Sequence, residues 1–195
     1  VLVVPLLAVL SRFVVAWSTG ERIPGSGPAL IAIVMLAALG FTSVLLVAVA
    51  ASIHFLTVVS VRQLTSEFPE AIVVPVTSGA DQVAQLRALG ASDPLLTRTR
   101  GLVAVIDSTS ISLWKKGSWP RLLAHITAAD VRYDVGTYEY FGRRYRTLRA
   151  TFLGGETAGS LDLLAVRFHA LVPRMMPLEQ LNQIVSKLAT GRMEP

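Results

Sequence analysis

The side chains best equipped for chemistry lie in the stretch YEYFGRRYRTLR, where Tyr138, Tyr140 and Phe141 precede Arg143, Arg144, Arg146 and Arg149. Aromatic rings beside guanidinium groups suit an anionic leaflet: a basic residue near such a surface is worth about 1 kcal/mol, and the rings can enter the headgroup zone. The same composition could stack on RNA bases and contact phosphates. No RNP-like or KH-like signature surrounds it, so nucleic acid is the least favoured partner. The plain alternative is a hairpin whose arginines are solvated and whose tyrosines fill a sheet face. Lys115, Lys116, Trp119 and Arg121 form a smaller cluster with the same ambiguity.

Catalysis requires a base with an orienting partner, and the sequence offers none at a telling spacing. His54, His125 and His169 fall in three separate segments without HExxH or similar ligand spacing. Asp107 stands beside Ser108 and Thr109, but no G-x-S-x-G elbow is present, and turn chemistry accounts for the trio better. Asp130 and Asp134 have no third carboxylate nearby. Cysteine is absent, which removes disulfides, thiolate metal sites and a Cys nucleophile. The expectation is a chain that is not an enzyme and carries no metal or cofactor.

Short strands separated by turns must position the two clusters. GLVAVID and SISLWKK read as an antiparallel pair, followed by RLLAHIT, VRYDVG, YRTLRATFL and SLDLLAVRFHAL. In VRYDVG, Val131, Tyr133 and Val135 share a face opposite Arg132 and Asp134. The segment TYEYFGR is the tip between two of these strands. A C-terminal helix opens at Pro177, repeats Leu178, Leu181, Ile184, Val185 and Leu188 on one stripe, and stops at Gly191. Ahead of the strands, residues 62–100 read as a linker with a short βα unit. In it PEAIVVPVT is a strand that Pro75 confines to an edge, and SGADQVAQLRALG is a helix capped by Ser78, with Asp81 three residues on. That unit has no glycine-rich phosphate fingerprint.

The remaining stretch places the chain in a lipid bilayer. Residues 28–61 contain no Asp, Glu, Lys or Arg, and such a run exceeds the roughly 20 residues that cross a hydrocarbon core of about 30 Å. Of the 18 Lys and Arg, all but Arg12 and Arg22 lie from residue 62 onward, as do all 13 acidic residues but Glu21. An apolar and a polar half are therefore separate objects. The first segment, residues 1–17, ends in Trp17 and reads as a short first span from which Arg12 could snorkel, joined to a second span over 29–55 by the Gly- and Pro-rich turn 18–28. A single span with a peripheral N-terminal helix is the alternative. A cleaved signal peptide fits less well, because there is no basic n-region and no clear A-x-A site. The chain begins with Val, so either an unusual start codon was read literally or residues precede it. Residues 54–61 could extend beyond the bilayer as a stalk, with His54 at the interface. Basic residues after the second span put the C-terminal part in the cytoplasm by the positive-inside rule.

Six or seven meandering strands closed by one amphipathic helix are the plan of the pleckstrin-homology-like barrel, and residues 101–135 resemble the opening of bacterial domains of that family. The segment Ile126 to Val131 is similar to the I-x-x-x-D-V/I start of their fourth strand. The resemblance covers about residues 101–190 and implies an α+β membrane protein. Its parts would be an N-terminal transmembrane helical hairpin (1–61) and a small half-open PH-like antiparallel β-barrel (101–195) capped by the C-terminal helix. It departs from the family in one strand, which is either hidden in 137–160 or supplied by AIVVPVT. It also lacks Lys or Arg in the loop Asp107 to Ser110, which argues against phosphoinositide recognition by the eukaryotic mode. The implied function is a noncatalytic binding or assembly module at the bacterial inner membrane, docking on a protein partner, on copies of itself or on anionic lipid. The alternatives are an accessory subunit of a larger membrane complex and an enzyme of unrecognised type.

Overall fold

The computed structural model describes residues 28–99, 101–140, 142–153, 158–169 and 172–190. The first span expected over residues 1–17, its turn and the helical hairpin lie outside these residues, as does Gly191. The described chain begins with helix α1, Pro28–Glu67, and divides after Ala51 into two units. In the first unit the described residues are entirely helical, and large apolar side chains such as Leu36, Leu39 and Val44 are exposed. Val34–Glu67 is the one helix among the described residues long and apolar enough to cross a membrane, and no part of its most apolar window is buried. A core helix of a soluble protein would hide that surface, because exposed apolar area costs about 25 cal/mol per Å² in water.

The second unit, from Ser52, is α+β. It contains the last turns of α1, then β1 (Ile72–Thr77), α2 (Ala80–Ala88), a 3₁₀ turn at Pro94–Thr97, β2 (Gly101–Ile106), β3 (Ser110–Lys115), β4 (Arg121–Thr127), β5 (Asp130–Tyr140), β6 (Arg143–Leu153), β7 (Gly159–His169), β8 (Val172–Met175) and α3 (Leu178–Thr190). All pairings are antiparallel, in the order β4-β3-β2-β1-β7-β6-β5, with β8 on the far end of β7. The two strands at the ends of this order, β4 and β5, are consecutive in the chain and joined by Ala128 and Ala129 alone. The open sheet must therefore curl to bring its ends together, and the Tyr133 hydroxyl on β5 reaches the Asp107 carbonyl after β2 at 2.7 Å. The β-bulge where β4 leaves register between Leu113 and Trp114 adds twist on that side.

The main core lies inside the curl, where Val76, Leu102, Ile106, Ile111, Leu113, Leu148, Phe152 and Leu161 meet Val83 and Leu86 of α2 and Leu181 and Leu188 of α3. Helix α3 covers β5 and β6 with Leu181 and Leu188 of the predicted stripe, Ile184 and Val185 packing at its border, while Leu178 at its start is exposed. A second, smaller cluster on the outer face joins Leu64 to Val103 and Val105, with Phe68 and Trp114 against them. Strand β2 is thus buried on both faces, which its unbroken LVAVI requires.

Four expectations are corrected. PEAIVVPVT is interior to the strand order, between β2 and β7. Pro75 is tolerated because the β1–β7 ladder involves only Val76 and Thr77, so the proline lies where β1 has a single registered neighbour. The short βα unit expected within the 62–100 linker is present as β1 and α2, and both are built into the sheet unit and its core. Helix α1 continues beyond Val61 to Glu67, since Leu64 finds a buried seat on the sheet; Pro69 then disfavours helical geometry at Phe68. Helix α2 is capped at Gly79, whose N–H donates to Gln82 Oε1 at 2.9 Å, while the Ser78 hydroxyl turns away to the Thr99 carbonyl at 2.6 Å. Strand β8 is an eighth strand that the sequence pattern did not suggest.

Candidate functional site

The aromatic and basic hairpin is the β5–β6 pair, and the register divides its residues between two faces. Tyr138 lies opposite Tyr145, Glu139 opposite Arg144, Thr137 opposite Arg146 and Asp134 opposite Arg149. Tyr140 pairs with Arg143 in the backbone, but its side chain and Phe141 lie outside the described part. Most of the hairpin's polar groups are engaged within the fold. The Tyr138 hydroxyl donates to Asp81 Oδ2 at 3.1 Å, at the edge of an open cleft of about 410 Å³ that also takes in Ser78, Thr97 and Glu139. Arg146 Nη1 reaches Thr137 Oγ1 at 3.4 Å, and Arg144 faces an acid across the ladder. Arg143, Arg144 and Arg146 are exposed.

Arg149 belongs to an internal polar network. Its Nε and Nη2 donate to Asp162 Oδ1 and Oδ2 at 3.0 and 3.2 Å, and Thr147 Oγ1 adds a hydrogen bond to Oδ1 at 2.9 Å. Hydrogen bonding to Asp162 holds the Arg149 guanidinium above its usual pKa, outweighing the opposite effect of burial. Asp162 is buried, and α2 grips its backbone as well: Gln82 Nε2 donates to its carbonyl, and its N–H donates to Gln85 Oε1 at 3.0 Å. These two glutamines, three residues apart on one helix face, substitute for strand partners that β1 does not extend far enough to supply.

The second cluster sits on the β3–β4 side. Lys115 and Arg121 are register partners, a like-charge pair directly across the ladder. Arg121 Nη2 also lies 3.5 Å from Asp93 Oδ2. Lys116 is half-buried with its ammonium over Gly101, and desolvation lowers its pKa. Trp119 is 84% exposed, the most exposed large apolar side chain among the described residues, and Leu122 beside it is 42% exposed.

Two arrangements bear on catalysis. Asp107 Oδ1 accepts from the N–H groups of Thr109 and Ser110, at 2.8 and 2.6 Å, and Oδ2 accepts from the Ser110 hydroxyl at 2.6 Å. Burial alone would raise its pKa; these donors together outweigh burial and bring it below the ordinary carboxylate value. The carboxylate is thus the organiser of the β2–β3 turn. The sequence reading missed a contact between Ser112 and His125, whose Oγ and Nδ1 are 2.7 Å apart on the outer face. Their 13-residue separation carries no motif, and only the β3–β4 register brings them together. No carboxylate meets the other ring nitrogen among the described residues, so the pair lacks the third member that orients a catalytic imidazole. The described residues also hold no group of three or more His, Cys, Asp or Glu side chains arranged to take a metal ion. No family model, curated protein or solved structure gives a significant match to the chain.

Proposed function

We propose that the chain is a noncatalytic, membrane-anchored binding or assembly module whose sheet unit is held at the bilayer surface by α1. The observation that carries this reading is the helix itself. Its long uncharged stretch is followed by turns that pack on the sheet within the second unit, through Leu64, Val103 and Val105. At 1.5 Å per residue the 34 residues from Val34 to Glu67 measure about 51 Å, ample for the hydrocarbon core plus these turns.

The sheet unit is read as PH-like. The strand order, the antiparallel meander, the C-terminal helix over β5 and β6 and the pairing of β1 with both β2 and β7 all support that plan. Curling of β4 toward β5 supports a half-open barrel. The basic surplus after α1 supports a cytoplasmic sheet unit at a bacterial inner membrane. A docking role is favoured over chemistry because Asp107 is committed to a turn and the Ser112–His125 pair has no acid behind it among the described residues.

Purification of the tagged chain from its native membrane in mild detergent, with mass spectrometry of near-stoichiometric companions, tests the assignment. Elution as a self-assembly or with one peripheral partner is the expected result. A fixed set of larger membrane subunits would replace it with an accessory-subunit role.

A further inference from the structure

The loop from Lys116 to Pro120 is fastened to α1 at one residue. The Ser60 hydroxyl accepts from the Gly117 N–H at 3.0 Å, and it also lies 3.0 Å from the Gly117 carbonyl and 2.7 Å from that of Leu56, which share its single proton. Ser60 is fully buried at this junction. The level of the fastening on the helix is informative. The uncharged run ends at Val61, and Arg62 is the first charge. About 7–8 Å before Ser60 along the helix, at 1.5 Å per residue, Phe55 is 65% exposed, and Val58 between the two is 48% exposed. The loop is therefore pinned where a spanning helix must pass from hydrocarbon to headgroups.

The loop displays what that layer selects. Trp is enriched at membrane interfaces because its ring is amphipathic, and Trp119 stands out from the sheet unit. Leu122 adds apolar surface at the start of β4. Lys115 and Arg121 face each other across the ladder, a juxtaposition that an anionic counterpart relieves; Asp93 lies 3.5 Å from Arg121. In the β5–β6 hairpin, Arg149 is consumed by Asp162 and so is not offered to an anionic surface.

We propose that the Trp119 loop is an interfacial foot: Trp119 seats in the headgroup layer of the bilayer that α1 crosses, with Lys115 and Arg121 toward anionic phosphates. This rests on α1 being a transmembrane helix.

The chain has no cysteine, so single labels can be placed without background. Full-length Ser118→Cys, Ser43→Cys and Ser186→Cys proteins are each labelled with an environment-sensitive fluorophore. They are reconstituted in phosphatidylcholine–phosphatidylglycerol vesicles containing nitroxide lipids with shallow or deep quenchers. The expected result is strong deep quenching at position 43, shallow quenching at position 118 several-fold above that at position 186, and a smaller effect at 118 when phosphatidylglycerol is omitted. Deep quenching at 43 with equal, weak quenching at 118 and 186 overturns the foot and leaves the span standing. Absence of quenching at all three positions overturns both. Shielding of position 118 from an aqueous quencher in native membranes, without quenching by nitroxide lipids in vesicles, assigns the loop to a protein partner and likewise overturns the proposal.

Discussion

Gly136 holds its place by having no side chain. A Cβ there would lie 2.7 Å from Asp162 Oδ1, 2.8 Å from Thr147 Oγ1 and 2.9 Å from Arg149 Nε, three atoms already fixed by one another. Its backbone is not in the left-handed region, so space is the whole reason for glycine. Gly136→Ala is expected to destabilise the sheet unit by about 1–3 kcal/mol, the usual cost of overpacking, in chemical denaturation of the full chain in detergent. Gly101→Ala makes the comparison: its Cβ would meet only the flexible end of Lys116, which can swing away, so little loss is expected. At this scale the sequence was partly legible. The aromatic and basic residues were visible as a cluster, yet their commitments were not, because Asp162 lies 13 residues beyond Arg149 and is delivered by strand register. The same holds for Ser112 and His125.

Among the elements, the β2–β3 turn shows how local chemistry fixes register. Asp107 receives two backbone N–H groups and two hydroxyls, and that set holds its carboxyl pKa below the ordinary value. A carboxylate with a folded-state pKa below its unfolded one stabilises the fold above the unfolded value near 3.8. That contribution disappears as pH falls through the folded-state pKa. Melting of the wild type is therefore expected to lose stability on acidification below the ordinary Asp range, and Asp107→Asn to be less stable at neutral pH with a flatter acid limb. Identical pH profiles for the two would refute this role. Turn residues made this element readable in the sequence, as the 3.6-residue period did for α3. Pro75 misled for a physical reason: proline excludes a strand from two-sided pairing residue by residue, and β1 satisfies that rule by limiting its ladder with β7 to Val76 and Thr77. The unbroken apolar run of β2 was a legible sign of burial on two faces, and so of a cover on its outer side.

For the molecule as a whole, the long uncharged helix and the antiparallel unit were both foreseeable, because hydropathy and alternation are local properties of the chain. Their joint was not: Leu64 meeting Val103 and Val105, and Ser60 meeting Gly117, are contacts between segments tens of residues apart. The account depends above all on α1 residing in a bilayer, since its exposed apolar side chains otherwise face water. The direct test is alkaline extraction of native membranes containing the full chain, followed by flotation of the pellet on a density gradient. The protein is expected to resist extraction and to float with the lipid. Release into the alkaline supernatant would contradict it, and would recast α1 as a helix covered by protein.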